Sequence, residues 1–224
     1  MLSSKNTRSV PYVEAQREII QREPLDRIQV RWSPEVQGAI EYFLHKDPGH
    51  LLEARRNARP YVGRMIDIFN AEGLPVGLLN VAAIESKHIR KAKSSYGARG
   101  IWQFMPATAR SVGLKVNLLT DQRTDPVLST QAAAKYLWKL HKRFDDWYWA
   151  LASYNAGPTK VARIYQQAQS KVFWDNSHLL PVETQNFVGK VIAAIVIKEN
   201  RIEIKSYERA QLAQIIDRLR RRYV

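Results

Sequence analysis

The chain of 224 residues contains no cysteine, which excludes disulfide bridges, thiolate metal ligands and cysteine redox chemistry. It also lacks any run approaching the roughly 18 apolar residues needed to span a bilayer. Acidic residues are few, since 21 Asp and Glu stand against 35 Lys and Arg, a net charge of +14. This excess predicts attraction to a polyanion, which could be nucleic acid, an anionic membrane or an anionic cell-wall polymer.

The first residues, Met1 to Ser9, carry Lys5 and Arg8 but are not followed by the apolar stretch of a signal peptide. We expect either a protein that is not exported or one whose leader has been removed. With 45% hydrophobic residues, the chain is long enough to bury one sizeable core. One central domain with extensions is therefore the prediction.

Helical patterns cover almost the whole chain. Ser33-Pro34 is typical of an N-cap followed by proline at the first helical position, and Pro75 opens a helix that ends near Glu85 or Ser86. Asp125-Pro126 begins a longer helix, and Pro181 begins the apolar helix from Val182 to Glu199. The longer helix places one set of residues on a single face, which predicts a core contact. These residues are Thr130, Ala133, Leu137, Leu140 and Phe144.

Other segments mark shorter elements. Asp146 predicts a cap for a short aromatic helix, Trp147 to Ser153, with a break at Asn155-Ala156-Gly157-Pro158. Strand-like alternation occurs at 202–204, and a short hairpin is expected within 113–120. We therefore predict a mainly α fold. We expect an N-terminal helical extension over 1–60, a catalytic domain over 61–200 and an amphipathic C-terminal helix over 201–224.

Glu85 stands out on physical grounds. It follows the apolar run 74–84 and precedes a glycine-rich, aromatic segment, so its carboxyl group is expected to lie partly within apolar packing. Burial disfavours the ionised form and raises the pKa of a carboxyl group, which then donates a proton near neutral pH. The sequence thus predicts a general acid. The alternative is a carboxylate at a helix end that pairs with Lys87 or His88.

Three segments of unusual composition interrupt the helical pattern. They are Glu85-Ser86, the segment 97–106, and Ser153 to Gly157. In this order and at this spacing they resemble the lytic transglycosylases of the goose-lysozyme-like superfamily, the glycoside hydrolase family 23 type. Flanking stretches at 107–110 and 180–184 are similar to the catalytic domain of the membrane-bound D type within that family.

The resemblance implies a lysozyme-like helical domain. It also implies cleavage of the β-1,4 bond between N-acetylmuramic acid and N-acetylglucosamine in peptidoglycan, with a 1,6-anhydro sugar as product. Glu85 matches the catalytic position, at which one carboxyl group first protonates the bridging oxygen and then removes the proton of the C6 hydroxyl. A glycosidase that uses two carboxylates would need a second carboxyl group roughly 5 to 9.5 Å from the first. Asp121, Asp125 and Asp146 are interpreted as helix caps, and the role of Glu183 stays open.

The same match implies five saccharide-binding residues, Ser94, Gln103, Met105, Tyr154 and Asn155. The amides of Gln103 and Asn155 offer donors and acceptors to hydroxyl and N-acetyl groups, and Met105 offers adaptable apolar contact to a sugar face. The alternative interpretation is turn and packing chemistry, because Asn-Ala-Gly forms a turn by itself. Trp102 is expected to be either a core anchor or a wall of the saccharide groove.

Two departures from the family pattern bear on the outcome of the reaction. The segment from Lys87 to Lys91 is strongly basic where the family has an apolar aromatic residue and an Asn-Pro pair, and Phe187 stands where a tyrosine is usual. Transglycosylation is the leading hypothesis. A hydrolytic muramidase on the same scaffold and a non-catalytic glycan-binding module are the alternatives.

The expected partners follow from the same observations. We expect peptidoglycan glycan strands as substrate, with anionic cell-wall components attracted by a basic cluster, and neither a specific nucleic acid nor a transmembrane segment. No cofactor and no metal are expected, since the five histidines show no metal-ligand spacing. We expect a monomer that is periplasmic or secreted, its leader removed. The basic cluster comprises Lys87, Arg90, Lys91, Lys93 and Arg99.

Overall fold

A computed structural model describes residues 28–205 and 207–224, and this part of the chain is mainly helical. In chain order the α-helices are α1 (Pro34–Glu41), α2 (Gly49–Ala58), α3 (Val62–Ala71), α4 (Asn80–Ser86), α5 (Pro106–Ser111), α6 (Pro126–Phe144), α7 (Trp147–Ala156), α8 (Pro158–Gln167), α9 (Phe173–Asn176), α10 (Val182–Glu199) and α11 (Arg209–Tyr223). Short 3-10 helices lie at Val76–Leu79, Gln122–Thr124 and Ser177–Leu179, and α1 continues as a π-helical turn, Tyr42–Lys46. The mainly α prediction is confirmed.

Side-chain caps begin the helices where the sequence predicts them. The Ser33 hydroxyl accepts a hydrogen bond from the Val36 N–H at 3.2 Å. The carboxylates of Asp125 and Asp146 accept from the first N–H groups of α6 and α7, and Asp121 does the same for the 3-10 helix after it. Each such cap stabilises its helix by about 1 kcal/mol. The interpretation of these three aspartates as caps is confirmed.

Helix α10 forms the centre of the molecule. Its residues from Phe187 to Ile197 are buried except Lys190, and it packs against α1, α4 and α7. A helix that is apolar on nearly all sides is one that other helices surround. Gly189 permits the close crossing with α1, because a Cβ there would lie 2.9 Å from the backbone oxygen of Glu35. A larger residue at position 189 would therefore push α1 away from the central helix.

Helix α6 presents its predicted apolar face to the core, and all five of its predicted core residues are buried. Trp102 packs beside this helix with no exposed surface. Its indole Nε1–H donates to the Thr130 hydroxyl at 3.0 Å, and its ring stacks on Phe69 at 5.8 Å between centroids. Trp102 is therefore a core anchor and not a groove wall.

The structure corrects two local predictions. Helix α7 continues to Ala156, because Asn155 and Ala156 keep helical conformation and the break falls at Gly157 (φ 90°), before Pro158 starts α8. The segment 202–204 is not a strand, and β pairing in the described residues is limited to isolated bridges, one of which joins Val116 to Asp121. Three residues of alternation without a pairing partner do not make a strand.

The C-terminal helix α11 is amphipathic as expected. Leu212, Ile216 and Leu219 are buried, whereas its arginines are exposed. None of the helices in the described ranges combines the length and apolar character needed to cross a membrane.

Candidate active site

Glu85 lies in the last turn of α4, which the 3-10 helix Val76–Leu79 positions against α10. The residue is half-buried, and burial raises the pKa of its carboxyl group to about 8, with a further contribution from the negative charge of Glu183. A carboxyl group with this pKa is mostly protonated at pH 7. In the described part of the chain Glu85 forms no ion pair.

The basic residues next to Glu85 have other environments. The Lys87 ammonium pairs with Glu53 at 2.8 Å, and His88 is buried, with a pKa lowered to about 4 by desolvation. His88 is therefore neutral at pH 7. The alternative interpretation of Glu85 as a carboxylate paired with Lys87 or His88 is wrong.

Helix α4 ends in an unusual backbone conformation. Lys87 and His88 both adopt positive φ, 50° and 57°, which costs roughly 1–2 kcal/mol for each non-glycine residue. The amide of Asn57 donates to the Lys87 carbonyl at 2.9 Å, and the Tyr61 hydroxyl donates to the His88 carbonyl at 2.5 Å. These hydrogen bonds hold the chain in its left-handed exit from the helix, immediately after Glu85.

A buried arginine organises the loop that faces α4. The Arg123 guanidinium donates to the carbonyls of Gly97 at 2.8 Å and Phe104 at 2.9 Å, and it pairs with Asp121 at 2.7 Å. The hydrogen bonds that Asp121 accepts from Arg123, and a further one from Arg99, lower the pKa of the Asp121 carboxyl to about 2. Gly100 (φ 80°) passes so close that a Cβ would lie 1.8 Å from the Arg123 carbonyl oxygen. The loop is therefore rigidly packed.

Three predicted saccharide-binding residues lie on or next to this loop. Gln103 is half-buried with φ 47°, and its side-chain amide donates to the Gly100 carbonyl at 2.7 Å. The Ser94 hydroxyl accepts from the Ala98 N–H at 3.0 Å. Met105 is 43% exposed at the start of α5. Ser94 and Gln103 thus both make local turn contacts, and their contact with a glycan stays a prediction.

Tyr154 is the predicted residue that the structure brings near Glu85. Its hydroxyl donates to the Trp102 carbonyl at 2.6 Å. Burial raises the pKa of this hydroxyl well above its usual value, and the negative charge of Glu85 raises it further. Its ring stacks on Phe187, with 6.4 Å between centroids and 3° between planes. Phe187 therefore supports Tyr154 by packing, where the family's tyrosine would add a hydroxyl.

Asn155 follows on the last turn of α7 and is oriented by a residue of α10. The buried Thr184 hydroxyl donates to the Asn155 side-chain oxygen at 2.8 Å. The two N–H donors of the Asn155 amide make no hydrogen bond to the described residues. Thr184 and Arg123 are the positioning residues that sequence reasoning did not single out. A sequence signal for each was present: Thr184 directly follows Glu183 in the flanking stretch 180–184, and Arg123 follows the predicted cap Asp121 by two positions.

Within the described ranges no group of three His, Asp or Glu side chains is placed to hold a metal ion. The chemistry available to these residues is proton transfer by Glu85, near the negative charge of Glu183 and the neutral hydroxyl of Tyr154. The half-buried Glu85 comes from α4, and the stacked Tyr154 and the oriented Asn155 come from α7. Both helices pack against α10.

Comparison with known proteins gives consistent matches. Residues 70–177 match the family model of the Transglycosylase SLT domain. The chain is 33% identical over 160 residues to membrane-bound lytic murein transglycosylase D of Escherichia coli, a match that covers 69% of this chain and 35% of that protein. It is 38% identical over 114 residues to peptidoglycan transglycosylase gp16 of Escherichia phage T7, covering 50% of this chain and 9% of that protein.

The X-ray structure of an inactive mutant of lytic transglycosylase Slt from Pseudomonas aeruginosa has a similar fold. It matches with a TM-score of 0.54 and 19% identity, over 86% of this chain and 41% of that chain. The fold is thus the lysozyme-like fold of this enzyme class. Residues 70–177 are thus similar to the Transglycosylase SLT domain, and the chain is related to the lytic murein transglycosylases. It spans about a third of the length of the transglycosylase D relative, 35%.

Proposed function

We propose that this protein is a lytic transglycosylase that cleaves the β-1,4 bond between N-acetylmuramic acid and N-acetylglucosamine in peptidoglycan, with Glu85 as the catalytic residue. The observation that carries the proposal is the desolvated, unpaired carboxyl group of Glu85, whose pKa of about 8 keeps a transferable proton at neutral pH. The similarity of the chain to the Transglycosylase SLT domain and to membrane-bound lytic murein transglycosylase D supports the choice of substrate class.

In the proposed reaction Glu85 donates its proton to the bridging oxygen while the bond between C1 and that oxygen breaks. The resulting carboxylate faces the positive charge that develops at C1. It then takes the proton of the C6 hydroxyl as the C6 oxygen bonds to C1, which closes the 1,6-anhydro ring. Glu85 is protonated again at the end, and no water is consumed. One carboxyl group therefore serves as acid and then as base.

The neighbouring groups suit this sequence of steps. Tyr154 is neutral, since its raised pKa keeps the hydroxyl protonated, so it places no second negative charge near the carboxylate that Glu85 becomes when it donates its proton. Asn155 offers unengaged N–H donors to an N-acetyl or hydroxyl oxygen of the glycan. We propose Ser94, Gln103, Met105, Tyr154 and Asn155 as glycan contacts.

The proposal extends to location and organisation. A murein substrate implies action in the periplasm or outside the cell. We propose that residues 61–200 form the catalytic domain, with extensions over 1–60 and 201–224 that are helical at 34–41, 49–58 and 209–223. Residues 1–27 and 206 of the expected extensions lie outside the described residues. The SLT match over 70–177 falls within the central range and supports this division. Anionic wall components are proposed as further contacts of the exposed Arg90, Lys91 and Lys93.

The test is product analysis on purified sacculi. Wild-type protein should release muropeptides with anhydro ends, identified by mass spectrometry. The Glu85→Gln variant should release them at least about a hundred times more slowly, because it loses general acid catalysis. Glu72→Gln, which makes the same change at an exposed acid, is the control and should match wild type.

Each other outcome excludes the proposal in a specific way. Products with reducing ends would indicate a hydrolytic muramidase. Equal release by Glu85→Gln would show that another group supplies the proton. Binding of sacculi without any release by wild type would indicate a glycan-binding module.

A further inference from the structure

Two adjacent leucines project fully into solvent. Leu118 and Leu119 have relative exposures of 104% and 97%, although leucine is usually buried. They occupy the tip of a tight turn in which the Asn117 N–H donates to the Thr120 carbonyl at 2.8 Å. The Asn117 side-chain oxygen also accepts from the Leu119 and Thr120 N–H groups, at 3.0 and 2.8 Å. The turn therefore presents both apolar side chains on a constrained backbone.

A second turn with an exposed apolar ring lies beside it. Tyr96 is 87% exposed at the tip of the turn that the Lys93–Arg99 bridge closes. Two contacts join the turns, since Arg99 pairs with Asp121 at 3.0 Å and the Arg123 guanidinium donates to the Gly97 carbonyl at 2.8 Å. The tip surface, defined as Tyr96, Leu118 and Leu119, is thus carried by two linked turns.

The charge around the tip surface is strongly positive. Between Lys87 and Thr124 the sequence has a single acidic residue, Asp121, and that carboxylate is engaged by Arg99 and Arg123. Lys87 pairs with Glu53, and Arg123 is buried. The exposed cations of the same segment are Arg90, Lys91, Lys93, Arg110 and Lys115. The Arg110 guanidinium donates to the Val116 carbonyl at 3.1 Å, which places an exposed positive charge directly beside the leucines.

We propose that the tip surface docks on an anionic phospholipid bilayer, with Leu118 and Leu119 inserted at the boundary of the acyl chains. The flanking cations then lie at the level of the phosphates. A wall polymer or nucleic acid would satisfy the charges but would leave both leucines in water. Stable attachment to a bilayer needs both an apolar and an electrostatic contribution, and this surface has both. The proposal does not depend on the chemistry proposed for Glu85.

The absence of cysteine in the chain permits a direct test with one fluorescent label. Leu118→Cys is labelled with a dye whose emission reports polarity, and Leu52→Cys, on the half-exposed Leu52 of α2, is the matched control. With vesicles of phosphatidylcholine and phosphatidylglycerol, the emission of the label at 118 should shift to the blue. The label at 52 should not respond. An unchanged spectrum at 118 would overturn the proposal.

Sedimentation with the same vesicles tests the contribution of the leucines to binding. The double variant L118S/L119S should bind at least about tenfold more weakly than wild type, because it loses two apolar side chains from the interface. The control double variant L52S/L179S has the same net charge and should bind as wild type does. Equal binding by L118S/L119S would assign the attraction to net charge, including the arginines of α11, and would overturn the proposal.

Discussion

The buried carboxyl group of Glu85 should make the stability of the protein depend on pH in a way that Glu85→Gln removes. In the folded state its pKa is about 8, against a usual value of 4.5. Below pH 4.5 both states bind the proton. As the pH rises towards 8, the unfolded chain gives up this proton and the folded chain keeps it, so the free energy of unfolding falls. Above pH 8 the loss is complete.

The size of the effect follows from the two pKa values. At about 1.36 kcal/mol per pH unit, the wild-type protein should lose roughly 3 kcal/mol relative to Glu85→Gln between pH 4.5 and 7, and roughly 5 kcal/mol by pH 8. Glu85 keeps some contact with solvent, so these are upper values.

The assay is urea unfolding of both proteins at pH 4, 6 and 8, with the exposed Glu72→Gln as the control. The difference in free energy of unfolding between Glu85→Gln and wild type should grow with pH in favour of the variant. The corresponding difference for Glu72→Gln should stay nearly constant. A difference for Glu85→Gln that is the same at pH 4 and pH 8 would refute a raised pKa for this carboxyl group.

Two further predictions address the surroundings of Glu85. Glu183→Gln removes a negative charge that raises the pKa of Glu85, so the alkaline limit of activity should move to lower pH. It should remain well above 4.5 because burial is the larger cause, and an unchanged limit would exclude the electrostatic contact. Gly100→Ala should destabilise by more than about 4 kcal/mol or prevent folding, because its Cβ would overlap the Arg123 carbonyl. The control is Gly113→Ala, since Gly113 has a similar positive φ but open space around it, and this variant should lose about 1 kcal/mol of unfolding free energy. If urea unfolding gave the same loss for both variants, the loop at Gly100 would be able to move aside.

The sequence was most informative where one residue has a local physical role. Ser33, Asp125 and Asp146 predicted helix starts correctly, because a cap depends only on the side chain and the N–H groups that follow it. The periodic face of α6 predicted its buried side equally well. In the same way the apolar run before Glu85 led to the expectation of a carboxyl group partly within apolar packing, and Glu85 is half-buried in the structure.

Features that depend on distant residues could not be predicted in this way. Arg123 binds carbonyls 26 and 19 positions away, and Thr184 orients an amide 29 positions away. Asn155 and Ala156 were expected in a turn, but the tertiary packing of α7 keeps them helical up to Gly157. The alternation at 202–204 has no neighbouring strand. Long-range partners decide all of these cases.

The most direct test of the central claim is the pH dependence of kcat/KM for release of anhydro-muropeptides from sacculi. This parameter reports the pKa of the essential acid in the free enzyme. If protonated Glu85 starts the cleavage, the rate should fall about tenfold per pH unit once the pH rises above the Glu85 pKa of about 8. A rate that instead falls from pH 4.5 upward, or one that keeps rising through pH 8, would contradict the account.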